Sequence, residues 1–314
     1  MDNLTKKGLF FGSIGIIFVG FQPIVAISKP SMLDGYNNII AAAMTCLVET
    51  ALFFPLMLIE LNKNKKSIQT NEINTQSILK GWKNNFWLLI VIGFIFGINQ
   101  IFFFIGYYMA GAINGSLTQK TTVFFSMLLG YLILKERITK LQIFFSFILF
   151  LGLTISITQF FSLIEFNSTI LIGVLILLAI SFLWMIGHSL TKPIFNRKEA
   201  TPIQMVFIRN FLSGFILLFT YVLIFPLDYR IWLDPDNIFF YLIMGTVYGS
   251  GLVCWYKALS YLDISKASTI FAPTPICTAI FASLILGANF TFFHLIGILL
   301  VIISIIFIVN QKRE

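Results

Sequence analysis

The chain has 314 residues, of which 58% are hydrophobic and 11% charged, and it carries a net charge of +8. A soluble domain has about 25% charged residues, so this composition excludes a soluble globular protein and describes one that sits in a bilayer. The positive charge does not point to nucleic acid, because the lysines and arginines lie mostly in short segments between apolar runs, where they set topology.

Ten apolar runs follow one another along the chain. The first covers residues 9–28, lacks a small-residue cleavage site and reads as a retained span, not a removed signal peptide. The others cover 37–59, 86–110, 112–134, 140–161, 169–190, 203–225, 238–261, 267–287 and 291–310. Each is predicted to be a helix, because lipid offers the backbone no partner and the runs are too long and continuous for barrel strands. Gly111 and Gly115 mark a tight hairpin between the third and fourth runs, and the polar segment Leu61 to Lys83 reads as a connector. If both termini are cytoplasmic, the inner segments hold 16 lysines and arginines. The outer ones then hold two, Lys29 and Arg230, with Lys120, Arg209 and Lys257 inside spans, which accounts for all 21. That asymmetry predicts a cell-membrane protein with both ends inside. Cys46, Cys254 and Cys277 all fall in apolar runs, so no disulfide, metal site or cofactor is expected.

An internal repeat organises the runs. Residues 93–139 lie over 245–291 without a gap, at an offset of 152. Gly93 then meets Gly245, Gly97 meets Gly249, Ser116 meets Ser268, Thr122 meets Thr274 and Thr139 meets Thr291. The third and fourth spans therefore match the eighth and ninth. Extended to the whole chain, this gives two halves of five spans, 1–161 and 162–314. An odd number of spans turns the second half upside down relative to the first. The predicted fold is an all-α membrane protein of ten transmembrane helices in two inverted five-helix repeats. That plan puts a solute site near mid-membrane between the halves.

Two stretches, FFFIGYYMAGAINGSLTQKTTVFFSMLLGYLILKERIT and CWYKALSYLDISKASTIFAPTPICTAIFASLILGANFT, have an aromatic-rich span, a short turn and a following span. In this the chain resembles the drug/metabolite transporter superfamily in its ten-span, EamA-like form. The resemblance implies a central substrate cavity between the halves and alternating access. Two departures stand out. Pro273 and Pro275 have Thr121 and Val123 as counterparts, so the fourth helix is expected to be unbroken where its mate is kinked. The acidic Glu136 has Ala288 as its counterpart.

Six residues are candidates for contact with a substrate: Lys120, Glu49, Asn99, Arg209, Trp184 and Tyr248. Lys120 lies about 12 Å from one end of its span and about 22 Å from the other, too deep to snorkel easily. A lysine at that depth costs roughly 2.5–3.5 kcal/mol or more unless it faces a cavity or a partner. Glu49 has a broadly similar depth and is a candidate partner. Two roles are open: a functional ion pair across a cavity, or a lock between the second and fourth spans. Arg209 offers a planar fork that suits a carboxylate or phosphate. His188 and Lys257 read as structural residues near the inner face. Gln22, Gln100 and Gln119 read as helix–helix hydrogen-bonding groups. Asn99 shares a helix face with Phe103 and Gly106.

No nucleophile elbow, metal-spaced cluster or P-loop is present, which argues against an enzyme and against ATP-driven transport. The expected function is secondary transport of a small polar or amphipathic metabolite, amino-acid-like or otherwise anionic or zwitterionic. A channel or a structural membrane protein is the competing reading. The expected partners are the lipid bilayer and a small-molecule substrate, without nucleic acid, in a monomer or homodimer.

Overall fold

A computed structural model describes residues 3–69, 78–134, 139–158, 168–226, 228–271 and 273–310. Among them no strand occurs. The helices are α1 (Asn3–Ile27), α2 (Asn38–Gln69), α3 (Ile78–Asn84), α4 (Phe86–Ala110), α5 (Ala112–Thr118) and α6 (Thr121–Leu134). They continue as α7 (Lys140–Thr158), α8 (Ser168–Asn196), α9 (Pro202–Ile224), α10 (Tyr229–Leu233), α11 (Pro235–Tyr261), α12 (Ile264–Ile270), α13 (Thr274–Ile285) and α14 (Phe292–Asn310). Each of the ten predicted runs is met, the fourth by α5 with α6 and the ninth by α12 with α13. Among the described residues, six helices are each long and apolar enough to cross a membrane. Large apolar side chains such as Trp87, Phe147 and Leu284 stand exposed on the outside, while polar ones such as Gln100, Asn99 and Lys120 are buried. This is the arrangement lipid requires.

Two expectations need correction. The segment from Leu61 is not simply a connector: α2 continues to Gln69, and α3 begins at Ile78. The fourth span is not continuous either. It breaks at Gln119 and Lys120, although no proline is there. The Thr121 hydroxyl donates to the Thr118 carbonyl at 2.8 Å and the Thr122 hydroxyl to the Gln119 carbonyl at 2.7 Å. The Lys120 amide bonds back only three residues, to Leu117. Consecutive threonine hydroxyls compete for the carbonyls and tighten the turn. The Glu136 corner lies outside the described residues.

The repeat is visible in the packing. Gly93 of α4 sits against Leu212 of α9, and Ser213 donates to the Gly93 carbonyl at 2.7 Å. Its mate Gly245 of α11 sits against Val48 and the Thr45 carbonyl of α2. The same pair of spans thus meets twice, once with each half supplying the glycine helix. Helix starts repeat as well. At α7, Thr139 and Gln142 cap one another through backbone amides. At α14, Thr291 and His294 do the same at the same offset. The halves interlock rather than sit side by side: α1 packs on α11 and α13, α2 on α9, α4 on α8 and α9, and α7 on α14.

Candidate functional site

The two broken helices meet at mid-molecule. Pro275 has no amide hydrogen, so the carbonyl four residues earlier, that of Phe271, loses its helical donor. Two side chains replace it: Lys120 Nζ donates to this oxygen at 3.0 Å and Thr274 Oγ1 at 2.6 Å. The break in the fourth span thereby reaches into the break in the ninth. Nearby, Thr278 of α13 donates to Ser116 of α5 or to the Gly20 carbonyl of α1.

Beside this junction lies a cavity of about 100 Å³. Half one contributes Gln22, Phe96, Gln119, Lys120 and Thr122, and half two contributes Trp184, His188, Arg209, Tyr248, Trp255 and Phe271. Five aromatic side chains, Phe96, Trp184, Tyr248, Trp255 and Phe271, stand in its walls. The His188 ring lies 5.0 Å from Phe96, 5.1 Å from Trp255 and 5.5 Å from Tyr256. The Arg209 guanidinium stacks 3.8 Å above the Phe96 ring, a placement worth about 0.5–2 kcal/mol. Lys120 and Arg209 are 5% and 3% exposed, so both cations are out of water.

Several buried polar atoms around the cavity have no partner: Gln119 Nε2, His188 Nδ1, Trp255 Nε1 and Arg209 Nε. An unmet buried donor or acceptor costs about 1–3 kcal/mol, so these groups suit a polar guest. Two cations, free donors and flat apolar walls together fit a small solute with an anionic head and an apolar body.

Lys120, Arg209, Trp184 and Tyr248 line this one cavity. Glu49 and Asn99 do not line it. Glu49 is fully buried behind it at the contact of α2 with α9, and Asn210 Nδ2 donates to its Oε2 at 2.7 Å. It forms no ion pair with Lys120, which among the described residues donates to the Phe271 carbonyl. Asn99 is fully buried with both amide atoms unpartnered. His188, read as structural, is on the cavity wall, and Lys257 stands over the Phe11 ring at 4.4 Å. Sequence reasoning missed Phe96, Trp255 and Phe271. In a chain with 36 phenylalanines, an aromatic side chain at depth carries no signal by itself.

Other contacts join the halves near the two ends of α9. At one end, Asn85 before α4 donates to Glu199 at 2.8 Å, Arg197 donates to Glu199 at 2.8 Å and to Asn85 at 3.1 Å, and Thr201 donates to Glu60. At the other, the Tyr221 hydroxyl donates to Asn37 at 2.9 Å, and the Tyr36 and Phe225 rings stack at 4.7 Å.

Comparison with known proteins decides the family. The EamA-like transporter family is matched twice in succession, over residues 6–158 and 171–310. This chain belongs to the EamA-like transporter family. Like that family, it is a multi-pass helical membrane protein built from two repeats. An EamA-like relative in Bacillus subtilis strain 168, named as the uncharacterized transporter YyaM, is 28% identical over 223 residues, 69% of this chain and 71% of the relative. Another, from Methanothermobacter thermautotrophicus and named as an uncharacterized transporter, is 24% identical over 286 residues, 90% of this chain and 81% of its own. One crystal structure shares the fold of this EamA-like chain with a TM-score of 0.68, over 97% of this chain and 99% of that one, at 12% identity.

Proposed function

We propose that this EamA-like transporter is a secondary carrier for a small amphipathic solute bearing a carboxylate, amino-acid-like or a simple organic anion, and that it works by alternating access. The halves 1–161 and 162–314 are the bodies that move, in the cell membrane, with both termini cytoplasmic. Lys120 and Arg209 hold the anionic head, and Trp184, Tyr248 and their aromatic neighbours hold the apolar body. The observation that carries this reading is the pair of water-excluded cations facing one aromatic cavity at the joint between two broken helices. Discontinuous helices at the interface of repeats suit a solute site at mid-membrane. The separate links near either end of α9 suit a device that opens one end at a time.

The test is counterflow in proteoliposomes with a panel of radiolabelled amino acids and 2-oxo acids. Saturable counterflow of at least one carboxylate is expected, reduced tenfold or more in Lys120→Ala, with insertion and yield retained. Ohmic current without saturation would make the protein a channel. Wild-type rates in the lysine variant would remove the site assignment.

A further inference from the structure

One buried acid stays outside the carrier scheme above. Of the chain's 13 acidic residues, Glu49 is the one near the middle of a span; the rest lie near span ends or between spans. It is fully buried where α2 meets α9 and α11. Asn210 of α9 donates to Oε2, while Oε1 has no partner. Gly249 of α11 packs against this part of α2: a Cβ there would stand 2.6 Å from the Phe53 ring and 3.1 Å from Glu49 Cγ. The charged and titratable groups acting on it are Arg209 from α9, Tyr248 from α11 and Cys46 on its own helix, with Tyr107 of α4 acting in turn on Tyr248. Arg209 is therefore shared. Its guanidinium lines the cavity, and Glu49, held by the adjoining Asn210, lies within electrostatic reach of it without a direct ion pair among the described residues.

We propose that Glu49 is a proton site, and that one proton binds Glu49 Oε1 with each substrate anion that binds Arg209, making the carrier a proton–anion symporter. The inference rests on the anion-carrier reading above. While Glu49 is ionised, Arg209 is partly neutralised by it and holds a substrate carboxylate weakly. A proton from solvent that reaches Oε1 converts the carboxylate to a neutral acid. Asn210 still serves Oε2, and the full charge of Arg209 turns to the guest. No bond other than O–H forms or breaks, and the proton leaves when the anion does. Linkage makes the coupling reciprocal: bound anion must strengthen proton binding by the same factor. Lys120 donates to the Phe271 carbonyl and faces the same cavity, so the Glu49→Gln variant separates its protonation from that of Glu49.

The probe is benzoate, a carboxylate on a flat apolar body that stays ionised between mildly acidic and mildly alkaline pH. Binding to the purified full-length protein is followed by calorimetry in buffers of differing ionisation enthalpy, which counts protons taken up per benzoate bound. Wild type should take up close to one proton per benzoate on the alkaline side. Its affinity should fall about tenfold per pH unit once Glu49 is ionised. Glu49→Gln should bind benzoate with no proton uptake and no such pH slope. Benzoate binding to wild type without proton uptake overturns the proposal and leaves the anion-carrier reading standing. The same proton count in wild type and Glu49→Gln also overturns it. Failure of benzoate to bind wild type at any pH overturns both. A wild-type count of zero overturns the proposal whether or not the variant folds.

Discussion

A carbonyl oxygen that Pro275 deprives of its helical donor fixes the position of Lys120. Two side chains serve that oxygen, but only one is charged, and this separates packing from binding. Thr274→Val removes one hydrogen bond to Phe271, whose oxygen keeps Lys120, and should lower stability by about 0.5–1.5 kcal/mol while leaving the dependence of transport on a carboxylate intact. Thermal unfolding and counterflow on the same preparation check both halves of that statement. Arg209→Lys keeps a positive charge but loses the planar fork and its stack on Phe96. Its half-saturation concentration should rise about tenfold, a change of about 1.4 kcal/mol, with a smaller change in maximal rate. The depth of Lys120 was legible from the chain alone, because its distance from both ends of an apolar run follows from the helical rise. Its partner was not, because it is a backbone atom on another helix. The suggested pairing with Glu49 shows the limit: depth is given by counting residues, but the direction a side chain faces depends on how each helix is rotated.

Among the elements, the broken fourth span is the feature the sequence concealed. Its mate is broken by Pro273 and Pro275, and the missing prolines at Thr121 and Val123 suggested a continuous helix. Threonine hydroxyls reach the same result by another chemistry, and TQKTT is the signal that could have revealed it. The corner linking α3 and α4 to the segment between α8 and α9 makes a separate prediction. Burial acts to raise the Glu199 carboxyl, but hydrogen bonds from Asn85 and Arg197 and the Arg197 charge outweigh it and hold it below the usual carboxylate range. The folded state thus favours the ionised acid. Its stabilisation is complete at neutral pH and is lost as pH falls through that depressed value. Glu199→Gln should lose this acid-side dependence, read as a flatter melting temperature across mildly to strongly acidic pH. Unchanged acid dependence in the variant would assign it to another group.

For the whole molecule, the ten runs, the offset of 152 and the glycine pairs were all readable, since lipid forces helices and a repeat preserves register. Interlocking of the halves was not, because it depends on which helix faces which. That interlocking makes the central claim testable: the links at Asn85, Arg197 and Glu199 join the halves near the start of α9, and those at Asn37 and Tyr221 join them near its end. The direct measurement replaces Cys46, Cys254 and Cys277, puts a single thiol at the cavity wall through Gln119→Cys, and labels it in proteoliposomes from one side at a time. An azide-bearing and an alkyne-bearing side chain placed at positions 85 and 199 are then joined by cycloaddition, which spares the thiol. The account predicts labelling from each side before tethering. After it, labelling persists from the side of residues 37 and 221, and both labelling from the tethered side and counterflow are lost. Unchanged labelling from the tethered side, or counterflow that survives the tether, would contradict it.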